Sequence, residues 1–215
     1  MAVLVFTITE PNINLDLVDR FIALAEDANL EILICINKID LLENDEFLLN
    51  LFEIYGDIGY NIIGMSTFDD GNKFLLEPFL ENKTSVLAGP SGVGKSSIVN
   101  LFYHDDKMEI GSVSRKTSRG RHTTRHAELL KIKEDSYIVD SPGFTSVDIL
   151  DISLSDLPRR FREFDDYFGN CRFKDCNHIN EPDCAIKNQI GITVNEARYN
   201  RYVSFYNEIK AVKTF

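Results

Sequence analysis

Continuous apolar runs in the first half of the chain predict buried β-strands, at residues 3–8, 31–36, 60–65 and 84–88. Segments with apolar side chains at helical spacing separate these strands, at residues 17–25, 43–55 and 72–80. Strands that are apolar on both faces and alternate with helices are typical of a parallel sheet covered by helices. The pattern therefore predicts a fold of the α/β class.

The second half of the chain has a more mixed pattern. Residues 97–102 predict the first turns of a helix, and residues 127–133 and 136–140 predict a pair of strands. A further helix is predicted over residues 154–168, with Pro158 in its first turn.

The last helix is predicted to begin at a capping box that runs from Thr193 to Glu196. It carries Tyr199, Tyr202 and Tyr206 on one stripe together with aliphatic residues. The stripe favours a packing face, and a platform on which RNA bases stack is the alternative.

The charge of the chain narrows the classes of function. Its 215 residues suit one or two domains and carry a net charge of −11. This charge excludes a protein that coats nucleic acid generally, so RNA contact would need a local basic patch. Such a patch is formed by Arg115, Lys116, Arg119, Arg121 and Arg125. No segment is apolar over the length of a membrane span, and the first residues lack the basic region of a signal peptide.

Residues 89–97 contain the G-x-x-x-x-G-K-S pattern of a phosphate-binding loop, placed between a predicted strand and a predicted helix. Glycines let the backbone turn its N–H groups toward phosphate oxygens, and the helix N-terminus adds a favourable dipole. Lys95 can reach the β- and γ-phosphates as a point charge, and Ser96 can offer its hydroxyl to Mg²⁺. The predicted phosphate-binding residues are Gly89, Pro90, Ser91, Gly92, Val93, Gly94, Lys95, Ser96 and Ser97.

Asn37, Lys38 and Asp40 form an N-K-x-D motif just past the second predicted strand, at the sheet edge where such folds bind ligands. The Asp40 carboxylate can accept both donors of guanine, its N1–H and its 2-amino group, and adenine offers no such pair. Asn37 is expected to fix the loop and the O6/N7 side of the base, and the Lys38 stem to cover the ring. Backbone groups at Ser66 are expected to touch the base, although an ordinary turn after the third strand explains that position as well.

The segment between the phosphate loop and the next strand contains Arg121-His122-Thr123-Thr124-Arg125-His126. A polar loop with a threonine at this place is typical of the segment that orders around Mg²⁺ and the γ-phosphate. Thr124 is assigned to the Mg²⁺ there, with Thr123 as its close rival. A solvated basic loop without that role is the alternative.

Asp140 and Gly143 form a D-x-x-G motif after a predicted strand. Asp140 can join the Mg²⁺ shell, and the Gly143 N–H can sense the γ-phosphate. The next residue is Phe144, which cannot orient the attacking water, so His122 is predicted to position or deprotonate it. A surface histidine is the alternative for His122. The predicted catalytic residues are His122, Lys95, Thr124 and Gly143.

The motifs occur in a circularly permuted order. The base-reading loop comes first and the phosphate loop second, whereas the phosphate loop ordinarily leads in this class of nucleotide-binding protein. A sheet tolerates such a permutation because strand pairing depends on position in space rather than on chain order. The D-x-x-G segment then leads directly into the C-terminal region.

A cluster of soft ligands in the C-terminal region predicts a zinc site, formed by Cys171, Cys176, His178 and Cys184. Four protein ligands indicate a structural rather than a hydrolytic metal, which would stabilise a loop with little core of its own. Clustered thiols also favour a metal over disulfides, as is typical of a cytoplasmic protein. Unligated buried cysteines are the alternative.

The chain resembles the RsgA (YjeQ/YloQ) family of circularly permuted GTPases. The resemblance rests on NKID, GPSGVGKSS, RHTTRH, DSPGF and CRFKDCNHINEPDC in that order, and it covers essentially the whole chain. It implies a P-loop NTPase fold with permuted GTPase topology over residues 1–152 and a small zinc-binding helical domain over residues 153–215. The N-terminal OB-fold domain that is usual in the family is expected to be absent.

The resemblance also implies a function. It is that of a Mg²⁺-dependent enzyme that hydrolyses GTP to GDP and phosphate in late maturation of the small ribosomal subunit, with turnover stimulated by that subunit. The expected partners are the small subunit and its rRNA, and the expected state is a cytoplasmic monomer without membrane contact. The main alternative is a GTP-gated switch that binds RNA or the ribosome and hydrolyses GTP incidentally. An ATPase is a weaker alternative, because Asp40 predicts a preference for guanine.

Overall fold

A computed structural model of the chain describes residues 1–103, 128–140 and 147–213. The described elements are β1 (Ala2–Thr7), α1 (Leu15–Asp27), β2 (Ile32–Asn37), α2 (Glu46–Gly56), β3 (Asn61–Gly64), α3 (Lys73–Leu80), β4 (Thr84–Ala88), α4 (Lys95–Tyr103), β5 (Glu128–Lys133), β6 (Ser136–Asp140) and α5 (Glu196–Lys213). None of these helices combines the length and the apolar character that crossing a lipid bilayer requires.

The described strands form one sheet of six strands in the order β3-β2-β1-β4-β6-β5. Every neighbouring pair is parallel except β5 and β6, which are antiparallel. The chain leaves β1 toward β2 on one side, and it returns as β4 on the other side of β1. This arrangement creates a topological switch point between β1 and β4, and ligands bind at the carboxyl ends of the strands at such points.

The core beside the sheet includes β1 and β2, whose residues are apolar except for Thr7 and Asn37 at the strand ends. All six residues of β1 and all six of β2 are buried. Apolar side chains of the sheet, of α3 and of α4 form one buried cluster, which includes Val5, Leu33, Leu76, Ile98, Phe102 and Ile138. Burial of each of these side chains contributes roughly 1.5–3 kcal/mol to the stability of the fold. The continuous core confirms the predicted α/β class.

The chain divides into two compact units by its internal contacts. The first contains Met1–Ile13, Glu31–Leu49 and the described part of Asn61–Thr145, and thus the whole sheet. The second contains Asn14–Leu30, Asn50–Tyr60 and the described part of Ser146–Phe215. Its own buried cluster joins α1 to the C-terminal region through residues that include Ala23, Ile149, Phe161, Phe164, Tyr202 and Phe205. A domain boundary at residue 152 stays a prediction.

The single helix expected over residues 154–168 is wrong. The structure has two 3-10 turns there, Leu157–Arg160 and Arg162–Tyr167. Phe161 separates them with an extended backbone (φ −119°, ψ 94°), and its ring stacks on that of Phe164 with centroids 5.5 Å apart. Burial of both rings stabilises this irregular backbone more than a continuous helix would.

The first turn of α5 also differs from the predicted capping box. The Asn195 Oδ1 accepts the Arg198 backbone N–H at 3.1 Å, so Asn195 caps the helix. The Thr193 hydroxyl lies instead 2.6 Å from the Tyr167 hydroxyl. Asparagine and threonine are both good capping residues, and the sequence alone did not distinguish them.

Candidate nucleotide site and metal centre

The phosphate-loop sequence forms a tight turn between β4 and α4. Gly89, Gly92 and Gly94 all have positive φ, at 148°, 85° and 94°. A Cβ atom on Gly89 would stand 2.1 Å from the carbonyl oxygen of Val5 in β1, so only glycine allows the chain to pass there. The backbone is thereby brought against the neighbouring strand at the switch point of the sheet.

Lys95 folds back over the loop that precedes it. Its Nζ donates to the carbonyl oxygens of Gly89 and Pro90, both at 2.7 Å. This holds a positive charge inside the turn, where the sequence predicts the β- and γ-phosphates. Ser96 and Ser97 are exposed in the first turn of α4, where the backbone N–H groups lack helical partners. The turn, the ammonium group and the helix N-terminus together can bind a polyphosphate.

Asn37 joins the base-reading motif to the phosphate loop. It is the last residue of β2, it is 1% exposed, and its Nδ2 donates to the Val93 carbonyl oxygen at 2.8 Å. A Cβ atom on Gly94 would stand 2.3 Å from this Nδ2, so the hydrogen bond requires glycine at position 94. The Oδ1 of Asn37 is buried and has no hydrogen-bond partner among the described residues. The structure thus brings two motifs that are distant in sequence to one place.

Lys38 and Asp40 follow in the loop after β2. Lys38 has a left-handed backbone (φ 60°), and its Nζ donates to the Glu10 carbonyl oxygen at 2.6 Å. Asp40 lies in a short 3-10 turn, Ile39–Leu41, and its side chain is exposed. The Asp40 carboxylate is therefore exposed to solvent just beyond the carboxyl end of β2.

The loop after β3 is joined to this loop by backbone hydrogen bonds. The Met65 N–H donates to the Ile36 oxygen at 2.8 Å, and the Ile39 N–H donates to the Met65 oxygen at 3.2 Å. Ser66 is buried, and its Oγ accepts the Phe68 N–H at 3.2 Å. Ser66 is thus next in sequence to a residue that contacts the base-reading loop directly.

The remaining residues predicted for the nucleotide site lie largely outside the described part of the chain. His122, Thr123, Thr124, Gly143 and Phe144 are not among the described residues, and neither is the basic segment 115–125. The backbone of Asp140 is described and ends β6, which pairs with β4. The strand that carries Asp140 is therefore a direct neighbour of the strand that leads into the phosphate loop.

The four predicted zinc ligands come together in the second unit. One ligand atom from each of Cys171, Cys176, His178 and Cys184 lies within 4.8 Å of all the others. The Cys171 and Cys184 sulfurs are 3.9 Å apart, and they lie 3.5 and 3.4 Å from the His178 Nδ1. Tetrahedral zinc with its usual bond lengths separates such ligand atoms by about 3.5–3.8 Å. The donor set and its spacing both fit zinc.

Burial controls the protonation of these ligands. It raises the pKa of the Cys176 thiol to about 12 and also raises the pKa of the Cys184 thiol. It lowers the pKa of His178, which keeps the imidazole neutral as metal binding requires. All four cysteines of the chain are free thiols, so no disulfide competes for the ligands. A divalent cation at the centre would offset the cost of burying sulfur charge.

Residues around the predicted zinc ligands hold the loop that carries them, and the sequence alone did not reveal these residues. The Glu181 carboxylate accepts the backbone N–H groups of Asn177 and Ile179 at 2.9 Å each, and that of Asn180 at 3.1 Å. Burial acts to raise the pKa of Glu181, but these hydrogen bonds hold it at about 2. The carboxylate thus fixes the backbone on both sides of His178.

Helix α5 holds the same loop from the other side. The Tyr199 hydroxyl donates to the His178 carbonyl oxygen, and the Tyr202 hydroxyl donates to the Asn177 carbonyl oxygen, both at 2.6 Å. Tyr199 is 8% and Tyr202 is 0% exposed. The tyrosine stripe therefore packs inside the unit, as the spacing favoured, and two of its hydroxyl groups satisfy carbonyl oxygens of the loop that carries the predicted metal ligands.

The second unit also contains a buried network of ion pairs that the sequence did not predict. Arg198 is 1% exposed, and its guanidinium donates to both Glu163 oxygens, at 2.6 and 3.2 Å, and to Asp19. Asp19 further accepts from Arg201 and, at 3.1 Å, from the Tyr55 hydroxyl. Burial opposes the charge of Arg198, but the two carboxylates raise its pKa well above the ordinary value. The network connects α1, α2 and α5.

Comparison with known proteins assigns the family. A sequence model described as RsgA GTPase matches residues 1–150. The small ribosomal subunit biogenesis GTPase RsgA of Caldanaerobacter subterraneus subsp. tengcongensis is 42% identical over 211 residues, which cover 97% of this chain and 70% of that protein. The protein of the same name from Clostridium perfringens is 42% identical over 209 residues, which cover 97% and 72%.

Two solved structures have the same fold. The crystal structure of YjeQ from Thermotoga maritima superposes with a TM-score of 0.81 at 34% identity, covering 97% of this chain and 70% of that one. YloQ, described as a circularly permuted GTPase, gives a TM-score of 0.81 at 33% identity, covering 98% and 68%. The permuted topology predicted from the motif order is thus confirmed, and the chain belongs to the RsgA GTPase family.

Proposed function

We propose that this protein hydrolyses GTP to GDP and phosphate in late maturation of the small ribosomal subunit, and that the subunit stimulates its turnover. The observation that carries the proposal is the 2.8 Å hydrogen bond from Asn37 to the Val93 oxygen. It brings the guanine-reading motif and the phosphate loop into one site, and a guanine nucleotide is the ligand with matching groups at both ends. The relatives named above are small ribosomal subunit biogenesis GTPases.

The residues of the predicted nucleotide site are proposed to have the following roles in this function. Asn37, Lys38, Asp40 and Ser66 bind the base, and residues 89–97 bind the phosphates, with Lys95 neutralising the charge that develops on the γ-phosphate. Ser96, Thr124 and Asp140 would hold Mg²⁺, which would supply positive charge to the phosphates of the nucleotide.

The hydrolytic step is assigned to residues of two further segments. Gly143 senses the γ-phosphate, and His122 positions or deprotonates the attacking water, because Phe144 stands where a glutamine would otherwise orient it. Intrinsic turnover is therefore expected to be slow. Binding to the small ribosomal subunit is proposed to raise this turnover.

The metal centre and the setting of the protein complete the proposal. Zinc is the metal proposed for Cys171, Cys176, His178 and Cys184, where it would have a structural role. The protein is proposed to act as a cytoplasmic monomer, with the small subunit and its rRNA as partners. Residues 1–152 are proposed as the GTPase domain and residues 153–215 as the zinc-binding domain.

Multiple-turnover GTP hydrolysis, measured with and without purified small ribosomal subunits, tests the proposal. We expect the subunits to raise turnover at least 10-fold, and a His122→Ala variant to lose the stimulated rate while still binding the subunit. Equal rates with and without subunits would contradict the proposed coupling. Stimulated turnover that survives in His122→Ala would remove His122 from the mechanism. Subunit binding that depends on GTP, without stimulated hydrolysis, would favour a GTP-gated switch instead.

A further inference from the structure

The loop after β1 has its own fixed shape. We call residues 8–13 the strap. The Ile13 N–H donates to the Ile8 oxygen at 3.0 Å, and the Thr7 Oγ1 donates to the Pro11 oxygen at 2.7 Å. Thr7 is the last residue of β1 and is only 1% exposed. A buried hydroxyl that donates to a loop carbonyl at an ordinary hydrogen-bond distance restrains the position of that loop.

The strap contacts both nucleotide-binding motifs. Its Glu10 carbonyl oxygen accepts from the Lys38 Nζ at 2.6 Å. Its Pro11 Cδ lies 3.7 Å from the position that a Cβ atom on Gly92 would occupy, so strap and phosphate loop are in near contact. The strap and the phosphate loop follow β1 and β4, which are neighbours whose connections leave in opposite directions. They therefore border the crevice of the switch point from its two sides.

We propose that Thr7 is a positioning residue for the bound guanine nucleotide. Its hydroxyl fixes the strap, and the Glu10 oxygen of the strap fixes the ammonium group of Lys38. The lysine stem is thereby held in the orientation in which it covers the purine ring. The inference rests on the proposed function, because it assigns a role within guanine-nucleotide binding.

The physical reason is the flexibility of lysine. A free lysine side chain loses a large conformational entropy when it is ordered against a ligand. A lysine that the strap already holds loses much less on binding, so the nucleotide stays bound longer. Removing one hydrogen bond of ordinary strength from this chain of contacts should speed dissociation about fivefold.

Dissociation of a fluorescent GDP analogue, measured by stopped flow with excess unlabelled GDP, tests the role of Thr7. Thr7→Val keeps the shape and removes the hydroxyl, and we expect dissociation about fivefold faster than in the wild type. Thr7→Ser retains a hydroxyl and should restore most of the wild-type rate. Thr193→Val is the matched control, because the Thr193 hydroxyl makes its 2.6 Å hydrogen bond with Tyr167 in the second unit, outside the nucleotide site. It should leave the rate unchanged.

A double-mutant cycle tests the route through Lys38. Lys38→Met keeps an apolar stem and removes the ammonium group, so adding Thr7→Val to it should not speed dissociation further. Should Thr7→Val fail to fold, Pro11→Gly loosens the strap at an exposed position, and it should speed dissociation alone but not in the Lys38→Met background.

The outcomes separate this inference from the proposed function. Equal dissociation rates for wild type and Thr7→Val, equal acceleration by Thr193→Val, or additive effects in the cycle would each overturn the role of Thr7. Failure of the wild-type protein to bind GDP at all would instead overturn the proposed function.

Discussion

Gly94 shows how one missing side chain allows two motifs to share a site. The Asn37 Nδ2 approaches the Gly94 backbone so closely that a Cβ atom there would lie at 2.3 Å. Motif spacing predicted a phosphate loop at this glycine, but it did not show that the base-reading asparagine is its closest neighbour. That contact depends on where β2 and β4 end in space.

We therefore expect Gly94→Ala to disrupt nucleotide binding rather than folding. The added methyl group would break the Asn37 hydrogen bond and strain a residue with φ of 94°. GDP affinity should fall by roughly 10-fold or more, since the strain and the lost bond together cost roughly 2 kcal/mol. Gly59→Ala is the control, because φ there is 89° but no atom lies within 4 Å of the added Cβ. Equal loss of GDP affinity in both variants would argue against the Asn37 contact.

Asp40 is the residue proposed to determine which base is accepted. Its carboxylate is exposed just past the sheet edge, where it can pair with the two donors of guanine. Asp40→Asn replaces one acceptor by a donor, so GDP should bind roughly 100-fold more weakly, which corresponds to about 2.7 kcal/mol. Xanthosine diphosphate, which has a carbonyl group in place of the 2-amino group, should bind the variant better than GDP. Unchanged GDP affinity in competition titrations would contradict this role.

Helix α5 was predicted from the sequence, but its hydrogen bonds to the loop at Asn177 and His178 were not. Its tyrosine stripe has helical spacing, so the packing role could be read from sequence. The two hydroxyl contacts with Asn177 and His178 could not be, because they depend on the path of an irregular loop. Contacts that are distant in sequence also explain why the helix predicted over residues 154–168 is wrong. The burial of aromatic rings there decides the backbone conformation, and the local spacing of apolar residues does not show it.

We predict that Tyr202→Phe weakens zinc binding. The change removes only the hydroxyl that donates to the Asn177 oxygen and leaves that buried acceptor without its partner. A loss of about 1 kcal/mol corresponds to roughly fivefold weaker zinc affinity, measured by competition with a chromophoric chelator. Tyr206→Phe, one turn further along α5, is the matched control and should bind zinc as the wild type does. A fivefold loss in both variants would assign the effect to helix packing alone.

The network around Arg198 connects three helices of the second unit, and its loss should destabilise that unit. Arg198→Met would leave the Glu163 carboxylate, whose side chain is 1% exposed, without its cation. Breaking a buried ion pair from one side costs about 3–5 kcal/mol, which chemical denaturation would detect. Arg172→Met breaks an exposed pair with Asp183 and should change stability by less than about 1 kcal/mol. Similar losses in the two variants would contradict the stabilising role of the network.

At the scale of the whole molecule, the motif order predicted the permuted topology, because each motif follows a particular strand of the sheet. The division of the chain into two compact units was harder to predict from the sequence. Helix α1 lies between β1 and β2 in sequence, yet its contacts group it with the C-terminal region, through Ala23 and through the Arg20 ion pair with Glu208. Periodicity identifies a buried helical face but not the surface that covers it.

Calorimetric titration of the wild-type chain with GDP and with ADP, both with Mg²⁺, tests most directly whether one nucleotide joins the phosphate loop to the Asp40 loop. A site that uses both ends of the ligand should bind GDP at least 100-fold more tightly than ADP, since adenine leaves the carboxylate without its two donors. Equal affinities for GDP and ADP would show that the phosphate loop binds nucleotides without the base-reading loop, and would contradict a guanine-specific site.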